Sequence, residues 1–209
     1  MKTRTKVLLL TLCAVLLVVS TVFATMAFLT STDTVTNTFT FGRIEITLDE
    51  ATVGTDGEIT DGADRNQTTG RRDTNTYHLI PGHLYTKDPT IHVSNDSEDC
   101  WLFVKIENGL KDIIAEVTIE NQMTNNNGWT LINETNNIYA YKDVVSKNAH
   151  IPVFDEFKLK NDADVQNYCE AKIVVTAYAV QADGFNLPTK TAIENATDAW
   201  NATFGETSN

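Results

Sequence analysis

Residues 99–108 read DCWLFVKIEN, and residues 168–181 read YCEAKIVVTAYAVQ. Both segments are apolar runs rich in β-branched and aromatic residues, which is typical of buried strands. Clusters of turn-forming Asn, Asp and Gly separate such runs along the chain, and almost no helical period lies between them. The pattern therefore predicts an all-β fold, a jelly-roll-like antiparallel sandwich of about eight strands.

Working outward from these two runs, we expect the other strands in six segments. These are residues 36–48, 77–95, 113–121, 128–132, 137–145 and 150–160. The run 168–185, which is mostly uncharged and includes the segment 168–181, is either a central core strand or, if exposed, an assembly surface, and the sequence favours the central strand. The predicted core consists of Phe39, Phe41, Ile44, Ile46, Ile91, Val93, Trp101, Phe103, Val104, Ile106, Trp129, Tyr139, Phe154, Phe157, Ile173, Val175 and Tyr178.

A single short helix is predicted at the C-terminal end of the sandwich. Ile193, Ala196, Trp200 and Phe204 recur at helical spacing, so that one face of the helix can pack on the sheet. The whole of 28–209 is expected to form one β-sandwich domain.

The first 27 residues have the pattern of a secretory signal peptide. Basic residues precede an apolar run from Val7 to about Val19, and small residues follow at Ala24 and Ala27. We expect cleavage after Ala27, with Ala24 as the alternative, and an uncleaved membrane anchor as the less favoured reading. The folded part is therefore expected to be secreted, and to contact the membrane only before cleavage.

The mature chain is strongly acidic. Removing the leader leaves 13 basic and 28 acidic residues, a net charge of −15. Such a surface repels phosphate backbones and anionic lipid, so that neither nucleic acid nor a membrane surface is an expected partner.

Two cysteines remain in the mature chain, Cys100 and Cys169. An even number of cysteines in an exported protein suggests one disulfide, and both residues begin strand-like runs. We expect them side by side at one end of a sheet, with two free thiols as the alternative.

No motif in the sequence indicates catalysis or a cofactor. The four histidines do not form an H-E-x-x-H zinc pattern, and no G-x-S-x-G elbow is present. The polar segment 51–76 lacks an apolar period and is expected to be a loop. Its carboxylates at Asp56, Glu58, Asp61 and Asp64 offer only a weak candidate for calcium, because their spacing fails the EF-hand pattern. The chain is therefore not expected to be an enzyme.

Several blocks of the sequence, in order, resemble the TasA/camelysin-type secreted proteins of Gram-positive bacteria, which are processed by a SipW-class signal peptidase. They are MAFLTSTDTVTNTFTFGRIEITLDE (26–50), IPGHLYTKDPTIHVSNDSEDCWLFVKIE (80–107), GWTLI (128–132), IYAYKDVV (138–145), VFDEFKL (153–159), AKIVVTAYAVQADGF (171–185) and DAWNATF (198–204). The segment 51–76 and the two cysteines have no clear counterpart in the family pattern.

The resemblance implies a subunit of extracellular biofilm-matrix fibres. In that family the freed N-terminal segment can complete the sheet of the next subunit. Here the donor would be 28–41, with Phe28 at its start and Val35, Phe39 and Phe41 as the inserted side chains. The implied partners are further copies of the chain, other matrix proteins and the signal peptidase.

Two other functions are compatible with the sequence. One is a monomeric cell-surface binding module that uses the segment 51–76, and the less favoured one is a secreted metallopeptidase of the camelysin type. The scattered histidines argue against the metallopeptidase.

Overall fold

The computed structural model describes residues 3–29, 43–115 and 117–205. The chain divides into two compact units, Met1–Phe41 and Gly42–Asn209. In the first unit the described backbone forms one helix, α1 (Thr3–Leu29). Across the described residues, no helix meets the combined requirement of length and apolarity for crossing a membrane.

The described part of the second unit is mainly β, with 11 short strands, two helices and one 3-10 turn. The helices are α2 (Ile119–Asn125) and α3 (Ala192–Phe204), and the 3-10 turn is Val165–Tyr168. The strands are β1 (Ile46–Val53), β2 (Ile59–Asp61), β3 (Arg71–Arg72), β4 (Leu84–Thr86), β5 (Thr90–Val93), β6 (Cys100–Asn108), β7 (Trp129–Asn133), β8 (Ile138–Tyr141), β9 (His150–Pro152), β10 (Glu156–Lys158) and β11 (Ile173–Gln181).

These strands form antiparallel sheets arranged as a sandwich. One sheet has the order β2-β1-β5-β9, with β3 also paired to β1, and the other has the order β11-β6-β8-β7. A small additional sheet joins β4 and β10. The predicted all-β antiparallel sandwich is confirmed, and the strand number exceeds about eight because β2, β3, β4, β9 and β10 contain only two or three residues each.

The main core lies between the two large sheets. The even-numbered residues of β6, among them Leu102 and Val104, point into it and meet Ile91 and Val93 of β5. Each fully buried aliphatic side chain of this kind contributes about 1.5–3 kcal/mol through removal from water. The predicted core residues within the described chain lie in this core or in the smaller cluster beneath α3, or pack against one of them.

Helix α3 covers the outer face of the β11-containing sheet. Trp101 and Phe103, the odd-numbered neighbours on β6, lie in a second cluster with Ala196 and Ala199 of α3. Trp200 extends this cluster, with its ring 5.1 Å from that of Phe103. The predicted C-terminal helix is confirmed, and it buries a face of the sheet that would otherwise be exposed to solvent.

The segment 113–121 differs from its prediction as a strand. Its second half begins α2, where the Thr118 hydroxyl accepts a hydrogen bond from the Asn121 backbone N–H. This cap fixes the first turn of α2. Ile119 and Met123, four residues apart on the same side of the helix, are both buried. Local capping therefore outweighs the β-branched composition of the segment.

The polar segment 51–76 includes short strands between its turns. It contains the end of β1 together with β2 and β3, both of which pair with β1. The expectation of a loop or insertion came from the missing apolar period, whereas hydrogen bonds and ion pairs order the part of the segment that contains β2 and β3. Arg71 lies at the centre of these hydrogen bonds and ion pairs.

Candidate functional site

In the part of the chain that the structure describes, strand β11 lies at one edge of its sheet. In the described residues its only strand partner is β6, along a register that runs from Ile173↔Asn108 to Gln181↔Cys100. In an antiparallel pair, every second residue directs its N–H and C=O away from the partner, so this edge presents unpaired donors and acceptors. The nine residues of β11 include no charged residue and no proline, which are the usual protections of an edge strand.

The open edge corrects the prediction that 168–181 is a central strand. The odd-numbered residues of β11, such as Val175, pack on the main core, whereas Tyr178 and Val180 face α3. Both faces of the strand are therefore covered, and this accounts for the continuous apolar run. A strand can be covered on both faces of its sheet without having a neighbouring strand along each of its two edges.

A groove of about 840 Å³ lies beside β11. Ile173 and Val175 line it from β11, and Leu48 lines it from β1 in the opposite sheet. Tyr77 and Phe157 add aromatic surface, with their rings 5.5 Å apart in an edge-on arrangement. The groove thus exposes apolar side chains beside a strand edge, which is the combination that an added strand requires.

An ion pair interrupts the apolar wall of this groove. Lys87 Nζ donates to Glu50 Oε2 at 2.6 Å, and both residues line the groove. Their side chains are only 12% and 4% exposed. The second carboxylate oxygen, Glu50 Oε1, is buried and accepts a hydrogen bond from no described residue. A buried carboxylate oxygen without a donor is costly to the folded chain.

Tyr77 forms a fixed part of the same wall. Its hydroxyl donates to the Thr86 carbonyl oxygen at 3.0 Å. Burial, together with the negative charges of Glu50 and Asp88, raises the pKa of Tyr77. The side chain therefore remains a neutral phenol and offers apolar ring surface to the groove.

A buried charge network holds β1, β3 and the start of β5 together beside the groove. The side chain of Arg71 is completely buried. Its Nε donates to Asp49 Oδ1 at 2.6 Å, and its Nη1 donates to Asp88 Oδ2 at 3.1 Å. Burial opposes the charge, but the hydrogen bonds and charges of Asp49 and Asp88 outweigh it and raise the pKa of Arg71.

Asp88 has further partners within this network. It accepts the Ala51 backbone N–H at 2.7 Å and a hydrogen bond from Arg65 Nε at 3.2 Å. Arg65 also donates to Asp155 at 2.6 Å. These contacts fix the part of β1 that carries Glu50, and so they set the position of one wall of the groove.

Two histidines continue the network across the sheet. His92 Nε2 lies 2.8 Å from Asp49 Oδ1, and His92 Nδ1 lies 2.6 Å from His150 Nδ1. Only one of the two facing nitrogens can carry the shared proton. Burial and the neighbouring His92 lower the pKa of His150, while Asp64 and Asp49 act in the opposite direction.

This constellation does not resemble a metal centre. In the described part of the chain, no three His, Cys, Asp or Glu side chains are placed to hold a metal ion. Asp56, Asp61 and Asp64, three of the four weak calcium candidates, instead accept hydrogen bonds from residues in their own turns.

The predicted donor residues mostly fall outside the described chain. Val35, Phe39 and Phe41 lie there, as does most of the segment 28–41. The predicted cleavage residue Ala27 and the neighbouring Phe28 fall in the last turn of α1.

The predicted disulfide is wrong, because Cys100 and Cys169 are both free. Cys100 pairs with Gln181 at the end of β11, whereas Cys169 precedes Ile173 at its start. Nine extended residues separate the two ends by roughly 25 Å, far beyond the ~4 Å between Cβ atoms in a disulfide. Antiparallel pairing therefore places the two thiols at opposite ends of the same strand pair.

Sequence reasoning missed the groove and the charge network. The donor strand that the sequence predicts can be recognised locally, because apolar and polar residues alternate within 26–50. The acceptor side has no such local pattern, because Glu50, Lys87 and Val175 meet only in the folded chain. One signal was available for Arg71, an arginine pair in a segment with few other basic residues.

No family model, no curated protein and no solved structure matches this chain.

Proposed function

We propose that this protein is a secreted structural subunit that self-assembles into extracellular fibres by strand addition. The observation that carries the proposal is the open, uncharged edge of β11 beside an apolar groove. A free edge and adjoining side-chain pockets are the two parts of a β-augmentation site. The main-chain groups supply hydrogen bonds, and the pockets select the side chains of the incoming strand.

The incoming strand is the N-terminal segment 28–41 of a second copy. Val35, Phe39 and Phe41 share one parity, so that they fall on one face of an extended strand. On insertion this face would meet the apolar groove beside β11. The segment can add only after cleavage at Ala27 has released it from the leader.

Strand addition of this kind generates filaments rather than closed dimers. The donor segment and the acceptor groove are different surfaces, so the contact is heterologous. Unless the rotation between copies closes a ring, each added subunit leaves one free donor and one free acceptor. The resemblance to TasA/camelysin-type proteins supports a biofilm matrix as the setting, with other matrix proteins as further partners.

The test compares the mature chain beginning at Phe28 with the same chain lacking residues 28–35. Both are examined by negative-stain electron microscopy after matched incubation. We expect filaments from the mature chain alone. Both samples should show the same circular dichroism, because the truncation leaves the unit Gly42–Asn209 intact.

A matched pair of substitutions tests the acceptor side. Val175 lines the groove, whereas Leu131 lies on β7 at the other edge of the same sheet, is 40% exposed and does not line the groove. Val175→Lys should prevent filaments by placing a charge in the groove, and Leu131→Lys should permit them. Filaments from the truncated chain, or none from the mature chain, would overturn the proposal. A monomeric mature chain that binds one ligand tightly would instead indicate a binding module.

A further inference from the structure

The hydrogen bonds between β6 and β11 show which main-chain groups of β11 point away from β6. Just beyond one end of the pair, the Ala182 N–H donates to the Asp99 carbonyl oxygen, with N and O 2.9 Å apart. Just beyond the other end, the Gly109 N–H donates to the Lys172 carbonyl oxygen at 2.8 Å. Both bonds continue the register of the two strands, and hydrogen-bonded pairs alternate along an antiparallel ladder. The even-numbered residues within 173–181 therefore bond to β6, and the odd-numbered residues direct their N–H and C=O groups outward.

This alternation fixes how a strand added to β11 would face it. The added strand would bond to the odd-numbered residues of β11 and would meet the even-numbered ones, among them Tyr178, in non-hydrogen-bonded pairs. In such pairs the Cα atoms are only about 4.5 Å apart, so the side chains of the two strands come closest there. The even-numbered side chains lie on the outer face of β11, where α3 packs.

Three aromatic residues form a ledge on this outer face. The ring of Trp200 on α3 lies 5.1 Å from that of Phe103 on β6 and 5.4 Å from that of Tyr178 on β11. Phe204, one turn further along α3, lies 5.3 Å from Tyr178 and 4.6 Å from Trp200. The last turn of α3 therefore lies over β11, and we name Tyr178, Trp200 and Phe204 the aromatic ledge.

The aromatic ledge is only partly covered by the chain itself. Phe204 is 41% exposed, and Val174, on the same outer face of β11, is 40% exposed. Tyr178 and Trp200 are half-buried, whereas Phe103 on β6 is fully buried. Exposed apolar surface on this face thus lies on β11 and at the end of α3 rather than over β6.

We propose that a strand added to β11 is held between two surfaces, the apolar groove on its inner face and the aromatic ledge on its outer face, and that Phe204 contacts the side chain opposite Tyr178. This contact rests on the proposed strand addition, and it makes α3 part of the acceptor site. An added strand lies about 4.8 Å beyond β11, so its outward side chain opposite Tyr178 enters the space beside the Phe204 ring.

The aromatic ledge suits a strand with β-branched or apolar side chains on its outer face. Aromatic and β-branched side chains form favourable cross-strand pairs, whereas a charged side chain would lose hydration against the rings. In the segment 28–41, every even-numbered position from 30 to 40 is threonine. If the odd-numbered positions of that segment face the groove, a β-branched side chain faces the ledge in every register.

The test places a fluorescent reporter in the aromatic ledge of the mature chain beginning at Phe28. Of the three tryptophans, Trp101 and Trp129 are each 1% exposed, and Trp200 is half-buried. Trp200→Phe combined with Phe204→Trp therefore leaves position 204 as the tryptophan that acrylamide, a neutral quencher, can reach. Filament formation should remove most of the acrylamide quenching in this variant, because the added strand covers the ring.

Trp200→Phe combined with Leu131→Trp is the matched control. Leu131 is 40% exposed and lies on β7, at the other edge of the same sheet. Acrylamide should quench this reporter equally before and after assembly. Circular dichroism of both variants should match that of the wild type, since each substitution lies at an exposed or half-buried position.

A second measurement does not depend on a reporter. The critical concentration is taken as the protein left in the supernatant after the filaments are sedimented. Phe204→Ala should raise it about threefold, which is the scale of one aromatic cross-strand contact. Leu131→Ala should leave it unchanged.

The outcomes separate this inference from the proposed function. Filaments in which the tryptophan at position 204 is quenched as strongly as in the monomer would overturn the contact with the aromatic ledge and leave strand addition in place. A critical concentration that Phe204→Ala does not change would do the same. A mature wild-type chain that forms no filaments would overturn both.

Discussion

At the scale of single residues, Arg71 connects more of the β1-containing sheet than any apolar side chain near it. Besides its bonds to the Asp49 and Asp88 carboxylates, Arg71 donates to the carbonyl oxygens of Gly62 and Asp88 and to the Thr90 hydroxyl. The planar guanidinium can serve these acceptors at once because its donors point in fixed directions. The ammonium of a lysine could not.

Replacing Arg71 with methionine should lower the free energy of unfolding by about 3–5 kcal/mol, because it removes the arginine beside the largely buried Asp49 and leaves Asp88 with only Arg65 as an ion-pair partner. Urea denaturation followed by circular dichroism measures the change. Arg72→Met is the matched control, since Arg72 is exposed and donates from Nε only to the Thr52 hydroxyl. An equal loss in the two variants would show that the network does not depend on Arg71.

His150 should make the stability depend on pH. Because its pKa is lowered in the folded chain, the unfolded chain binds more protons as the pH falls through the ordinary histidine value of about 6.5. The stability linked to His150 is therefore fully present above about pH 6.5 and is lost as the pH decreases. The groups that face it include His92, Asp49 and Asp64.

The measurement is the free energy of unfolding between pH 7 and pH 5, since these values bracket the ordinary histidine pKa of about 6.5. His150→Gln should reduce the loss of stability over this range. The slope of the free energy of unfolding against pH should decrease by less than the value for one bound proton. His83→Gln is the control, because His83 lies outside the network and contacts the Asp56 carbonyl oxygen through Nε2. A steeper pH dependence in His150→Gln than in the wild type would contradict the assignment.

At the scale of secondary-structure elements, the sequence predicted the strands that bury apolar side chains and misjudged those that do not. β6 and β11 were evident because each carries a long apolar run. β2 and β3 were missed, since their order comes from pairing with β1 and from Arg71 rather than from periodicity. An ion-pair partner distant in sequence leaves no local pattern.

The position of β11 within its sheet could not be read from its composition. A run that is apolar on both faces is usual for a central strand. Here α3 supplies the second cover, through Trp200 and its ring contact with Tyr178 at 5.4 Å. The sequence predicted both α3 and the β11 strand, but not that the helix removes the need for a flanking strand.

The prediction of a disulfide between Cys100 and Cys169 was wrong for a topological reason. Two cysteines that each begin a strand lie side by side only if the strands run parallel. β6 and β11 are antiparallel, so the start of one strand lies at the end of the other. Strand direction was not predictable from either segment alone.

At the scale of the whole molecule, charge opposes the proposed assembly. Each mature subunit carries a net charge of −15, so neighbouring copies in a filament repel one another. The groove carries a large apolar surface, and the Lys87–Glu50 ion pair in its wall lies within a single subunit. Salt should therefore screen the repulsion between subunits more than it weakens the contact at the groove.

The critical concentration for filaments should fall several-fold as NaCl increases from about 0.01 M to about 0.15 M, over which the Debye length shortens from about 30 Å to about 8 Å. Sedimentation of the mature chain at each salt concentration measures this. A magnesium salt at matched ionic strength provides the control, because screening depends on ionic strength, whereas cation binding at the acidic turns of 51–76 would give an additional decrease. A critical concentration that rises with salt would show that ion pairs between subunits, rather than insertion of an apolar strand, hold the filament together.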